Sequence, residues 1–504
     1  MTKVGFGTLN WIVLILYLLS MLGVGVYFTK KASKNTDAFF KAKSSIPAWA
    51  AGFSIYATTL SAITFMSTPE QAYLKDWAYG VGSLSIIVIV PILIKYYVPF
   101  FRKLQVTTAY EYLEERFSPI IRVLGSALFM LYHIGRVAIV IYLPIIAITT
   151  VSNINPILIA CVVGGLCIIY TFMGGIEGVI WSDVIQGFLL LGGALLVVLV
   201  GGLSIKGGFG TVVTDAVANH KILSSQDLNI GDLTKFLPLI FAGQFFNTVY
   251  QYTGSQDVVQ RYQTTATQEE TNKSLWTNAF LALITIPLFF GMGTVLYSFY
   301  RNTGSLPKGF NTSALVPYFV ITRVPAGIAG LIIAGIFAAA QSTIASSLNA
   351  ISSCFVTDFK QRFFDHKWKN ISDVTLARII IIITGLFGLG MSIYLLIGNA
   401  SKTWDLFLTV TGLFGVPIAG VFAVGIFTKR ANTFGVILGL IASIAVTVYV
   451  QQTNDSSLIV ATVAFITSFL FSYVLSFLAP KKYIHNIVGL TASTVNEKYV
   501  KSTK

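Results

Sequence analysis

Thr58, Thr59, Ser61 and Thr64 crowd the middle of an apolar stretch, AGFSIYATTLSAITFMST, that runs from Ala51 to Thr68. A spanning helix does not need hydroxyls at its centre. Inside a bilayer an interrupted helix survives only where its freed backbone lines a cavity or binds something. The stretch is therefore expected to break between Ala57 and Ser61, lending carbonyls and hydroxyls to a small cation and a solute. The alternative is that small hydroxylated residues simply let helices approach closely. A second oxygen-rich face lies in FAAAQSTIASSLNAISS, where Ser342, Ser346, Asn349 and Ser353 recur at helical spacing beside Thr343. Neutral oxygens of this kind suit a hard monovalent cation; the alternative is a packing seam with the run Ala338–Ala340.

Charged residues within apolar runs are few. Arg136 sits centrally in FMLYHIGRVAIVIYL, where an arginine costs about 2.5–3.5 kcal/mol on insertion scales. It needs a partner. The carbonyl end of a broken helix would serve, and so would an anionic solute held by the guanidinium fork. The second is favoured, because no embedded carboxylate stands out in the sequence as free to pair with it. His133, one turn earlier, is expected to pack or hydrogen-bond. Asp183, in GGIEGVIWSDVIQG, is placed to cap a helix, pair locally or help bind a cation, and Glu177 to sit at the membrane interface.

These residues sit in a strongly apolar chain. Of 504 residues 55% are hydrophobic and 11% charged, with mean hydropathy +0.76, whereas soluble domains carry about 25% charged residues. The composition defines an all-α polytopic membrane protein. The net charge of +14 does not indicate nucleic acid, because the basic residues fall in short loops between apolar runs. Cys161, Cys167 and Cys354 lie in apolar segments and imply neither disulfides nor a metal site. The run Leu9 to Phe28 is too long for a signal peptide, and no A-x-A-like site follows it, so a retained helix is expected. No phosphate loop, H-E-x-x-H or Ser/His/acid arrangement is present. An enzyme is not indicated, and uphill movement would draw on an ion gradient.

Thirteen segments are long enough to span: Leu9–Phe28, Pro47–Thr68, Trp77–Leu104, Ile120–Val151, Pro156–Met173, Val179–Ile205, Leu233–Thr253, Trp276–Tyr300, Pro325–Val356, Thr375–Ile397, Thr403–Thr428, Phe434–Val450 and Leu458–Leu478. Lysine and arginine gather after segments one, three, seven, nine and eleven and in the tail, as at Lys30, Lys31, Arg102, Lys103, Lys429 and Arg430. That asymmetry puts the N-terminus outside and the C-terminus in the cytoplasm. External loops at Ser204–Asp232 and Ser305–Arg323 are expected to carry short helices, the second over Asn311 to Val320. Gln256 to Lys273 is expected as a polar internal loop, and the lysine-rich tail after Pro480 as partly disordered.

Segment seven, like segment two, is polar at its centre, with Gly243, Gln244, Asn247 and Thr248. Paired interruptions at the start of two five-helix halves point to a transporter with inverted repeats. The organisation expected is residues 1–46 as an extra helix with its cytoplasmic loop, 47–205 and 233–430 as the two repeats, and 206–232 as an external loop between them. Residues 431–480 add two helices and 481–504 a cytoplasmic tail.

The segments ATTLSAITFMSTPEQAY, YTFMGGIEGVIWSDVIQG, SQDVVQRY and IFAAAQSTIASSLN together resemble the sodium/solute symporter family. Within it, segment two and HIGRVAI are most similar to the bacterial sodium/sialic acid symporters. The resemblance covers nearly the whole chain. It implies a LeuT-type fold with 5+5 inverted repeats in the cell membrane, sodium as the coupled ion and alternating access. It also implies a sodium site at the carbonyls of Ala57, Leu60 and Ala339 and the hydroxyls of Ser342 and Thr343. A second sodium would use Asp183, Ser342 and Ser346, although that site wants a hydroxyl where this chain has Ala345. The resemblance places a substrate carboxylate near Ser61, Thr64 and Arg136, with Thr59 close by, and the rest of the sugar near Tyr79, Ser83, Gln244, Asn247 and Thr248. Ser83 stands where relatives carry a larger amide, and Gln244 and Thr248 also differ, so tolerance for modified sialic acids is expected. The competing readings are a sodium symporter for a monocarboxylate, neutral sugar or amino acid, and a solute sensor or channel on the same scaffold.

Overall fold

The computed structural model describes residues 5–151, 155–223, 228, 236–368, 370–397, 411–453, 457–480 and 487–497. Helices dominate: α1 (Thr8–Ala32), α2 (Ala48–Thr59), α3 (Ala62–Leu74), α4 (Ala78–Ser83), α5 (Tyr110–Arg116), α6 (Pro119–Val151), α7 (Pro156–Leu203), α8 (Gly208–Ala218), α9 (Leu237–Thr253), α10 (Gln256–Tyr262), α11 (Gln268–Thr303), α12 (Leu315–Arg323), α13 (Ile328–Cys354), α14 (Asp373–Ile397), α15 (Val416–Phe427), α16 (Thr433–Thr453) and α17 (Ser457–Leu475). Among the described residues nine helices are individually long and apolar enough to cross a membrane. The start of segment eleven, 403–410, lies outside the described residues. One of the nine, α7, holds two predicted segments. They join at Gly175, whose φ 55 and ψ −163 leave the helical region. A Cβ there would lie 3.1 Å from the Ala32 Cβ and the Phe39 carbonyl, so glycine alone fits the turn.

Segment two breaks where its hydroxyls cluster. Leu60 (φ −91, ψ 112) and Ser61 (φ −107, ψ 173) are extended between α2 and α3. The local chemistry is sufficient: Thr59 Oγ1 donates back to the Tyr56 carbonyl at 2.9 Å, and Ser61 Oγ accepts from the Ile63 amide at 3.2 Å as an N-cap.

Segment seven is not interrupted at its polar centre; the break follows its end. Gly243, Gln244, Asn247 and Thr248 lie within the continuous helix α9, and the chain leaves the helix only at Gly254 and Ser255, before α10. Thr248 Oγ1 bonds the Gln244 carbonyl at 2.8 Å, so this hydroxyl is satisfied without breaking the helix. The second break is capped from the Thr107–Tyr110 segment. Tyr110 Oη donates to the Gly254 carbonyl at 2.7 Å, and Gln256 bonds the Ala109 amide at 2.9 Å and the Thr107 carbonyl at 2.7 Å.

Two expectations fail here. The stretch Gln256–Lys273 is not a polar loop at its start, because every residue of α10 is buried. The tail is not loose over its described residues. Leu490 is fully buried, Tyr112 Oη donates to its carbonyl at 2.8 Å, and the Ala492 amide donates to the Ile426 carbonyl at 2.8 Å. One apolar side chain and a few satisfied carbonyls are enough to dock an otherwise polar strand. The predicted external helices are present as α8 and α12. Thr312 and Ser313, just ahead of α12, bond Glu70 in the C-terminal half of α3.

The core of the molecule is α13, buried along its length and packed against α6 and α7. The extra helix α1 is pinned to it. Asn10 Oδ1 accepts from the Gly327 and Gly330 amides at 2.7 and 2.9 Å, and Tyr17 Oη donates to Gln341 Oε1 at 2.6 Å.

Burying a leucine is worth about 1.5–3 kcal/mol. Truncation after Pro480 should therefore lower the midpoint of thermal unfolding of the detergent-purified protein by several degrees, and Leu490→Ala should reproduce much of that loss. A melting curve unchanged by both would contradict the docked tail.

Candidate functional site

The break in segment two faces α13. Ser342 Oγ donates to the Ala57 carbonyl at 3.1 Å and to the Ala339 carbonyl at 3.2 Å, and Thr343 Oγ1 donates to the Ala339 carbonyl at 3.3 Å. Four of the five residues expected to hold a cation are thus in mutual contact, with Ser342 and Thr343 buried. Leu60, the fifth, lies in the break. Freed carbonyls beside hydroxyls in a dry interior are an alkali-cation donor set. Among the described residues no group of three or more His, Cys, Asp or Glu could hold a metal, so neutral oxygens are the ligands on offer.

Asp183 and Ser346, expected at a second ion, are also together, but a guanidinium stands between them. Arg261 Nη2 donates to Asp183 Oδ2 at 2.8 Å and to Ser346 Oγ at 2.7 Å. Ser54 Oγ donates to the same Asp183 oxygen at 2.6 Å, and Thr58 Oγ1 lies 3.0 Å from Ser346 Oγ. Asp183 therefore pairs locally, and a second cation there has to compete with a fixed arginine.

Above the break a cavity of about 200 Å³ opens between α2–α3, α4, α6, α9 and α11. Every residue expected at the solute lines it: Thr59, Ser61, Thr64, Tyr79, Ser83, Arg136, Gln244, Asn247 and Thr248. Asn247 is 9% exposed, and neither its amide oxygen nor its nitrogen has a hydrogen-bond partner. A buried amide left so is set for a ligand that both donates and accepts. On the far wall Gln244 passes so close to Gly82 that a Cβ there would meet Gln244 Cγ at 2.5 Å.

Arg136 departs from expectation. Its Nη1 donates to Asp257 Oδ2 at 2.9 Å and its Nη2 to the Thr58 carbonyl at 2.9 Å. No carboxylate stood out in the sequence as free to pair with Arg136; Asp257 is that carboxylate, brought into the interior because every residue of α10 is buried. Arg136 still lines the cavity. His133 hydrogen-bonds, as expected, with Nδ1 2.9 Å from Ser347 Oγ and Nε2 3.1 Å from Ser255 Oγ.

Several lining residues escaped the sequence reading, among them Thr68, Gln71, Tyr132, Thr285 and Phe290. Thr68 and Gln71 continue the face of Thr64 at helical spacing, and Tyr132 lies one turn before Arg136, so periodicity could have found them. Nothing in the sequence marks Thr285 or Phe290, which tertiary packing alone brings to the cavity.

A solute-sized cavity between two broken helices, with carbonyls and hydroxyls gathered at one break, is the arrangement of an ion-coupled membrane transporter. The chain belongs to the sodium:solute symporter family, whose model matches residues 39–443. It is 43% identical to the sodium/sialic acid symporter of Aliivibrio fischeri, over 89% of this chain and 89% of that protein. It is also 43% identical to the sodium/sialic acid symporter of Proteus mirabilis, over 89% of this chain and 91% of that one. The solved outward-open, substrate-bound structure of a sodium-coupled sialic acid symporter superposes with TM-score 0.88 at 41% identity, covering 94% of this chain and 99% of that one.

Gly82→Ala should push Gln244 into the cavity. Overpacking of this kind costs about 1–3 kcal/mol, so solute affinity should fall roughly tenfold while the apparent affinity for the coupling ion stays near wild type. Equilibrium binding of labelled solute checks this, and an unaltered affinity would mean that Gln244 does not border the occupied volume.

Proposed function

We propose that this chain is a sodium-coupled symporter of the cell membrane that imports sialic acid, N-acetylneuraminate and related forms, by alternating access. The observation that carries this reading is the convergence of nine expected solute residues on one cavity that Leu60 and Ser61 of the break also line, while the adjoining Ala57 carbonyl meets Ser342. The sialic acid activity printed for relatives at 43% identity supports it. The carbonyls of Ala57, Leu60 and Ala339 and the hydroxyls of Ser342 and Thr343 take sodium. Ser61, Thr64 and Arg136 face the solute carboxylate, with Thr59 beside them. Tyr79, Ser83, Gln244, Asn247 and Thr248 face the remainder of the sugar.

In this reading thirteen spans include two inverted five-helix repeats, opened by α2–α3 and by α9–α10, with the N-terminus outside and the tail in the cytoplasm. Sodium arriving from outside draws the α2–α3 break against α13 and so pre-forms the solute cavity. The bundle then rocks and opens inward. The membrane potential adds about 2.3 kcal/mol per charge per 100 mV. One sodium is the coupling ion favoured here, because Ala345 offers no hydroxyl and Arg261 already holds Asp183 and Ser346.

Radiolabelled uptake into proteoliposomes tests the reading. Sialic acid should accumulate with an inward sodium gradient and not with potassium, and Ser342→Ala with Thr343→Ala should abolish the sodium-dependent part. Uptake with unchanged sodium dependence in that double variant would refute the ion assignment. With Ser83 small, an excess of a modified sialic acid should compete with N-acetylneuraminate; failure of every modified form to compete would count against a widened pocket.

A further inference from the structure

The arginine at the cavity is a compensated charge. Arg136 and Asp257 pair at 2.9 Å with side chains 2% and 0% exposed. The neighbouring buried pair, Arg261 and Asp183, is closed in the same way at 2.8 Å, both side chains fully buried. His133 approaches Asp257 at 3.7 Å, but its two ring nitrogens meet serine hydroxyls, an environment that suits a neutral ring. The formal charges gathered around the two breaks therefore sum to zero. An anion entering such a place finds no net positive charge, and a buried anion without one costs several kcal/mol.

The backbone supplies the second half of the argument. Arg136 holds the Thr58 carbonyl, and the adjoining Ala57 carbonyl is the one that Ser342 takes at the oxygen cage. The Ser342 hydroxyl and the guanidinium thus hold consecutive carbonyls in the last turn of α2. A cation at Ala57 places its charge one peptide from the group that faces the solute carboxylate.

We propose that Asp257 is a positioning residue that enforces sodium dependence: by cancelling Arg136 it leaves the cavity unable to hold an anionic solute until a cation at the Ala57 carbonyl supplies the missing charge. This rests on the reading that the solute is a carboxylate. It also accounts for Asp257 bonding Ser255, its own neighbour Val258 and Arg136 at once, since a carboxylate so tied cannot swing away from the guanidinium.

The test measures equilibrium binding of N-acetylneuraminate to the purified full chain in sodium and in potassium chloride, for wild type, Asp257→Asn and Asp257→Glu. In Asp257→Asn the affinity in potassium should rise, so that the sodium-to-potassium preference shrinks about tenfold or more, a 1.4 kcal/mol change. Asp257→Glu should keep the wild-type preference. A preference unchanged in Asp257→Asn, or an equal loss of binding in both salts from a folded variant, overturns the proposal. Should Asp257→Asn not fold, Arg136→Gln serves without any solute. It leaves Asp257 uncompensated, so the sodium concentration at half-maximal thermal stabilisation should drop several-fold, and an unmoved midpoint overturns the proposal. Wild type that binds no sialic acid in sodium refutes the carboxylate reading itself, a failure distinct from either variant result.

Discussion

A carbonyl released from a helix inside a membrane has no water to turn to, and leaving it unpaired costs several kcal/mol. Two consecutive carbonyls in this protein are in that position, and each has a donor from a different helix. Ala57 is met by Ser342 on α13 and Thr58 by Arg136 on α6. The other features of the site follow from this. The α2–α3 break can exist because its polar atoms are spoken for. Since the donor at Ala57 is a hydroxyl, which also carries lone pairs, the same atoms that hold the apo strand can turn to a cation.

The second break depends on the same supply of partners, here from α5 and the residues just before it. Tyr110 and the Gln256 amide close the backbone at Gly254 and Thr107, while Asp257 reaches back to Arg136. The Arg136 guanidinium thus joins the two breaks, which explains why an arginine is tolerated deep in an apolar helix. Its insertion penalty is offset by an ion pair and by a carbonyl that needs a donor.

Much of this was legible in the residues before any coordinates. The hydroxyl cluster at Thr58–Thr64 marked a true break because Ser and Thr both cap and back-bond locally, and Ser342, Thr343 and Ser346 stood out by helical period. The break after segment seven was less legible. Polar residues such as Gln244 and Thr248 mark a wall as readily as an interruption, whereas the actual break is written in the quieter pair Gly254 and Ser255. Asp257 was hidden for a related reason. It sits among Gln256, Gln260 and Arg261, a composition that resembles a loop until the fold buries all of it. Thr285 and Phe290 reach the cavity only through long-range packing, which no local pattern encodes.

The docked tail adds a mechanical corollary. Tyr112, which holds Leu490, and Tyr110, which holds Gly254, are two residues apart on the one short helix α5. That helix is a crankshaft with the tail on one journal and the second unwound segment on the other. The docked residues 487–497 and the segment after α9 therefore share one short support, and a displacement of either bears on the other through α5.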